Sequence, residues 1–88
     1  MDQVVFVGTS QVITVAPPEG SRRTVLEAIQ KFIVAKGYPP TIRDIGKEAG
    51  IESTSHVSYL LDRLAEDGYI IRDPHISRSI RVLIPISD

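Results

Sequence analysis

Residues 37–68 read GYPPTIRDIGKEAGIESTSHVSYLLDRLAEDG, and this stretch decides the fold. Tyr38-Pro39-Pro40 cannot lie inside a helix, because proline lacks an N–H and its ring collides with the preceding turn. Thr41 follows, with Asp44 three residues on, resembling a capping box with Asp in place of Glu or Gln. The spacing predicts a short helix from Ile42 to Ala49 that stops at Gly50. Ile45 and Ala49 face inward, and Gly46 between them lets another helix approach closely. Ile51-Glu52 leaves a tight connection. Ser53 is a good N-cap for a further helix ending at Asp67, with Gly68 in the position that favours a left-handed cap. Val57, Leu60, Leu61 and Leu64 form one apolar face of it. Two short helices, a few connecting residues and a small residue at the crossing make a helix-turn-helix unit.

The flanks extend that unit on both sides. Upstream, Val25, Ile29, Phe32 and Ile33 follow a helical stripe, with Leu26 and Ala28 beside them. Ser21 is a candidate N-cap and Lys36-Gly37 an ending, which gives a first helix at about 22–36. Further upstream, Val4–Val7 and Val12–Val15 are β-rich runs around Gly8-Thr9-Ser10-Gln11, a predicted hairpin. Ala16-Pro17-Pro18-Glu19-Gly20 is a stiff linker. Downstream, Tyr69–Arg72 and Ser79–Ile84 read as strands, with Asp73–Arg78 as the loop between them. The expected fold is α+β, a three-helix winged helix-turn-helix with a C-terminal β-wing and an extra N-terminal β-hairpin. Residues 1–20 form the arm and linker, and residues 21–88 the domain.

Composition narrows the function classes. Eighty-eight residues bury one modest core. With no cysteine there is no disulfide or thiolate metal site. The apolar runs are too short for a membrane span, and the N-terminus lacks the basic start of a secretory signal. A cytoplasmic protein is expected. The formal charge of −1 is unusual for a nucleic-acid binder, but its distribution is uneven. Residues 21–52 are net +2 and 69–88 net +1, whereas 1–20 and 53–68 are each net −2. The bases lie ahead of and behind one acid-ended helix.

The coordinated positions Gly37-Tyr38-Pro39-Pro40-Thr41-Ile42-Arg43-Asp44-Ile45-Gly46, Gly50-Ile51, Ser53-Thr54-Ser55, Val57, Leu61, Leu64, Gly68-Tyr69-Ile70 and Arg72-Asp73-Pro74 resemble those of the DNA-binding domain of LexA-type repressors. The resemblance covers roughly residues 21–84. It implies a winged helix-turn-helix that binds operator DNA and represses transcription, without the self-cleaving peptidase domain of that family. It also implies a bacterial or phage origin.

On a helical wheel at about 100° per residue, Ser55, Ser58, Tyr59, Asp62 and Glu66 lie opposite the apolar stripe, with Thr54 and His56 on the flanks. The first two turns are neutral and hydrogen-bonding, and the acids come late. That order suits docking of the N-terminal half in a major groove. Ser53, Ser55, His56, Ser58 and Tyr59 match the positions that the family uses on its operators. Serine hydroxyls suit almost any base edge. Asp62 has two readings, accepting from a cytosine amine or pairing with a cation of the protein. By the same resemblance Arg43, Arg22 and Arg23 are candidate phosphate clamps. Arg72 and Arg78 are candidate wing contacts to the backbone or minor groove, with His75 open.

The two histidines, nineteen residues apart, make no metal site. No phosphate loop or catalytic triad arrangement is present, so neither a cofactor nor an enzyme activity is expected. The expected partner is double-stranded DNA, with a palindromic operator read by two copies. Residues 4–15 are either the homodimer contact or a cover for the domain's own sheet. The competing function is a winged-helix protein-interaction module. The competing origin is a piece of a longer self-cleaving repressor.

Overall fold

The structure is a computed structural model and describes residues 18–86. The N-terminal hairpin expected at 4–15 lies outside the described residues. Three helices come first, α1 (Ser21–Lys36), α2 (Ile42–Ala49) and α3 (Thr54–Glu66). Two short strands follow, β1 (Ile70–Ile71) and β2 (Arg81–Val82), paired antiparallel with Ile70 opposite Val82 and Ile71 opposite Arg81.

Local chemistry sets the helix limits. At α2 the capping box closes in both directions, Asp44 N–H donating to Thr41 Oγ1 at 3.1 Å and Thr41 N–H to Asp44 Oδ2 at 3.0 Å. At α3 the His56 N–H donates to Ser53 Oγ at 3.2 Å, the expected N-cap. The α1 start differs from expectation. Gly20, not Ser21, is the N-cap, with φ 63° and ψ −135°, and Ser21 is already helical. The chain turns into α1 through a backbone angle that a side chain at this position would oppose. Glycine has no side chain to accept from the first-turn N–H groups, so no side-chain cap is made. The Gly20 carbonyl receives both the Thr24 N–H (3.1 Å) and the Thr24 hydroxyl (3.2 Å).

The three helices enclose one core. Val25, Leu26, Ala28 and Ile29 of α1 meet Ile45 of α2, Val57, Leu60, Leu61 and Leu64 of α3, and Tyr69, Ile70 and Ile80 of the wing. Phe32, expected on the same stripe, is only half-buried, because its ring turns to the α1–α2 connection. There it meets the Tyr38 ring edge-on with centroids 5.6 Å apart. Gly46 is buried, and a Cβ there would come within 2.6 Å of the Ile51 carbonyl oxygen. The close approach is therefore made by the turn itself, whose Ile51 N–H donates to the Gly46 carbonyl at 2.9 Å.

The wing strands are shorter than expected. Tyr69 O accepts from both Leu83 N–H (2.8 Å) and Ile84 N–H (3.2 Å), which doubles two residues against one and ends the regular ladder. At the other end Arg78 takes φ 59°, a left-handed angle that no continuing strand accommodates. Between these points the loop closes on itself. Asp73 N–H donates to Ser79 Oγ (2.8 Å), Ser79 Oγ donates to Asp73 O (2.9 Å), and His75 N–H donates to Asp73 Oδ1 (2.9 Å). Beyond the wing, the Gln30 amide grips the Ile86 backbone, accepting from its N–H at 2.7 Å and donating to its carbonyl at 3.3 Å.

Candidate nucleic-acid interface

The first turn of α3 presents Thr54, Ser55 and His56 to solvent, and among the described residues none of these side chains has a partner. Ser53, also exposed, has its hydroxyl oxygen committed to the cap. Further along, Tyr59 is exposed and the Arg63 guanidinium lies 6.0 Å from its ring centroid, while Arg63 also pairs with Glu66. Ser58 is half-buried, for a reason that lies in the wing.

The basic candidates divide sharply. Arg72 does not reach outward. Its side chain is only 10% exposed and donates to Asp62 Oδ1 at 3.0 Å and Ser58 Oγ at 3.3 Å, tying the wing to the outer face of α3. Asp62 thus pairs with a cation of the protein, the second of its two readings. Arg78 also folds back, donating to Pro39 O at 2.8 Å and pairing with Asp44 Oδ2 at 3.1 Å, with its guanidinium 4.8 Å from the Tyr38 centroid. Arg22 pairs with Asp67 at 3.2 Å, at the far end of α3, about 20 Å of helix from Ser53. Arg23 pairs with Glu27, its i+4 neighbour on α1.

Arg43 behaves differently. It is exposed in the first turn of α2 and has no acidic partner among the described residues. Lys47, one helical turn later on the same face, is likewise exposed and unpaired among them. Both line a groove with Glu52 and Thr54 of about 370 Å³. Arg43 and Thr54 also border a larger groove of about 460 Å³ whose opposite wall is the wing loop with His75 and Ser77. Lys47 was missed by sequence reasoning, although the i, i+4 step from Arg43 on an amphipathic helix was the signal that could have found it. The tertiary contacts of Arg72 and Arg78 had no such local signal.

The Asp44 carboxyl sits at the junction of these parts. It is held below the ordinary carboxylate value, chiefly by the Thr41 backbone N–H, with the Thr41 hydroxyl and Arg78 adding to the effect and desolvation opposing it. Among the described residues no group of three or more His, Asp or Glu side chains is placed to hold a metal ion. No helix there is long and apolar enough to cross a membrane.

Helix order, capping box, tight glycine turn and wing coincide with one family model, the LexA DNA binding domain, which matches residues 20–79. The chain belongs to the LexA DNA-binding domain family. The match opens at the Gly20 cap and runs through α1, α2, α3, β1 and the wing loop. Similar proteins include the LexA repressor of Moorella thermoacetica, 52% identical over 61 residues, covering 69% of this chain and 30% of that protein. The LexA repressor of Corynebacterium efficiens is 46% identical over 61 residues, 69% of this chain and 26% of its own length. That of Frankia alni is 45% identical over 64 residues, 73% and 25% respectively. The chain thus matches these LexA repressors over between a quarter and a third of their length. Of the two wing arginines in this LexA-type domain, Arg72 is nine-tenths buried against α3, whereas Arg78 pairs with Asp44 and stays 42% exposed.

Proposed function

We propose that this LexA-type domain binds duplex DNA in a sequence-specific manner as a transcriptional repressor. In this reading α3, with its cap at Ser53, enters the major groove by its first turns, and residues 69–84 lie along the backbone. The observation that carries it is the pairing pattern of the cations. Arg22, Arg23, Lys31, Arg63, Arg72 and Arg78 each face an acid. Lys36, Arg43, Lys47 and Arg81 have no acidic partner among the described residues, and of these Arg43 and Lys47 border the groove that reaches Thr54 at the start of α3. Phosphate clamps belong beside the helix that reads bases, where they fix its register. The near-neutral charge is then compatible with binding, because two of the four unpaired cations lie together on one face of α2.

Two clamps on one copy give weak binding at physiological salt, so the reading includes two copies on a palindrome. In this reading residues 4–15 are the candidate homodimer contact, the alternative being a cover for the domain's own sheet. The setting is the cytoplasm of a bacterium or a phage-infected cell.

The test is selection from a random-sequence duplex library, then titration of the enriched sequence at several salt concentrations. Arg43→Gln and Lys47→Gln should each weaken binding evenly across sequences and lower the salt slope by about one. Replacing Ser55 and His56 by Ala should erase sequence preference with the slope unchanged. A second reading, an interaction module, draws on Ile71 and Leu83, both more than half exposed at the base of the wing. It wins if selection returns no enriched motif.

A further inference from the structure

Ser58 lies on the outer face of α3, one turn beyond Thr54. A free serine hydroxyl rotates to suit whatever it meets, giving its proton to an acceptor or taking one from a donor. Such a residue discriminates bases poorly. Ser58 is not free, because the Arg72 guanidinium donates to its oxygen at 3.3 Å. Arginine has five donors and no acceptor, so the Ser58 proton cannot point toward it. The proton must aim elsewhere, and the open side is the outer surface of the helix.

Arg72 cannot readily withdraw from this role. It comes from the residue after β1, its side chain is nine-tenths buried, and Asp62 holds the same Nη2 at 3.0 Å. Asp62 is one turn beyond Ser58 on the same face. The carboxylate fixes the guanidinium, and the guanidinium orients the hydroxyl. A second donor approaching Ser58, such as an exocyclic amine of a base, would have to share the hydroxyl oxygen with the Arg72 N–H already bound to it. An acceptor approaching the same hydroxyl meets the opposite situation.

We propose that Arg72 is a positioning residue that sets the hydrogen-bond polarity of the recognition helix, making Ser58 a committed donor to a purine N7. The proposal rests on the DNA-binding reading above and adds which edge this position reads. Of the major-groove acceptors, guanine N7 and O6, adenine N7 and thymine O4, N7 is the one that both purines share, and it is the one assigned here. A Ser58 position that selects thymine would overturn that choice. Cytosine presents an amine donor there. Arg72 itself touches no DNA. Its contribution is therefore to specificity and not to the electrostatic part of affinity.

The experiment uses the whole 88-residue chain and the random-sequence duplex library. Ser58→Ala first identifies the operator position that Ser58 reads, as the one whose preference relaxes. Replacing the purine there by its 7-deaza analogue, which lacks the N7 acceptor, should cost the parent chain at least about fivefold in affinity, the low end of a base-edge contact. It should cost Ser58→Ala nothing. Arg72→Met should relax that same position and leave the salt slope unchanged, with its fold checked by circular dichroism. Asp62→Asn keeps Arg72 in place but loosens it, and should relax the same position in part. That variant decides the matter if Arg72→Met does not fold.

Three results would overturn the proposal while leaving DNA binding intact. The first is a motif unchanged in both the Arg72 and Asp62 variants. The second is an even loss of affinity in Arg72→Met with the salt slope lowered by about one, which marks a phosphate contact. The third is a Ser58 position that selects thymine, or at which the 7-deaza purine binds as well as the natural one. A library that yields no motif with the parent chain sinks the DNA-binding reading itself, and this proposal with it.

Discussion

Gly46 shows how one residue closes the helix-turn-helix. Alanine is ordinarily preferred to glycine in a helix by about 1 kcal/mol. Here a methyl group would come within 2.6 Å of the Ile51 backbone oxygen, and a backbone carbonyl in a tight turn has little freedom to retreat. Steric cost should outweigh propensity. Gly46→Ala is expected to lower stability by about 1–3 kcal/mol, read as a shift in the urea midpoint. Unchanged or raised stability would mean that the turn can open. Arg78 is a second such residue, and its two roles can be separated. Its guanidinium ties the wing to Pro39, Asp44 and Tyr38, while its backbone occupies φ 59°. Arg78→Ala loses the ties and keeps the strained angle, whereas Arg78→Gly loses the ties but relieves the angle. Arg78→Gly should therefore be the more stable of the two by about 1 kcal/mol, with both below the parent in thermal unfolding.

At the scale of elements, α2 is fastened at its start by a carboxylate with two duties. Asp44 Oδ2 accepts the Thr41 N–H of the capping box and also meets Arg78 of the wing. The start of α2 and the wing are thus coupled through a single oxygen atom. Its pKa is depressed in the folded protein, so its contribution is present above the unfolded value and is lost as pH falls through the folded one. Stability should be steady near neutrality and decline below about pH 4. Asp44→Asn should be less stable than the parent at pH 7, by about 1 kcal/mol from the weakened cap. It should also show a shallower acid decline, measured as melting temperature against pH. Equal acid slopes in the two proteins would assign the decline to other carboxylates.

At the scale of the whole molecule, the domain distributes its cations between two tasks. Six are matched to acids. Of the other four, Arg43 and Lys47 share the exposed face of α2 and are the pair proposed above as phosphate clamps, with the wing loop forming the far wall of the groove beside Arg43. The proposed dimer role of residues 4–15 is open to a direct test. Deleting residues 1–17 keeps the buried Pro18 and the Gly20 cap. If the arm is the dimer contact, the truncated chain should run as a monomer by light scattering and bind the selected operator at least about tenfold more weakly, with its motif unchanged. A truncated chain of unaltered oligomeric state sinks that role.

Much of this was legible along the chain. The limits of α2, the cap of α3, the apolar stripe of α3 and the glycine at the turn are local features. Each depends on residues within one or two turns of each other, whose hydrogen bonds and periodicity act over that range. The wing was legible in outline only, because the double use of the Tyr69 carbonyl depends on how two distant strands meet, and Arg78, at its left-handed angle, reaches the start of α2 across the fold. Among the candidate contacts, Ser55, Ser58 and Tyr59 could be placed opposite the apolar stripe, and Thr54 and His56 on its flanks, by arithmetic alone. The basic residues could not be sorted that way. Arg43, Arg72 and Arg78 look alike in sequence, and their difference depends on an acid ten positions away for Arg72, one far along the chain for Arg78, and none for Arg43. The stretch 37–68 by itself determined the helix-turn-helix. Only the tertiary structure decided which charges it keeps free, since pairing across distant segments depends on where folding brings them together.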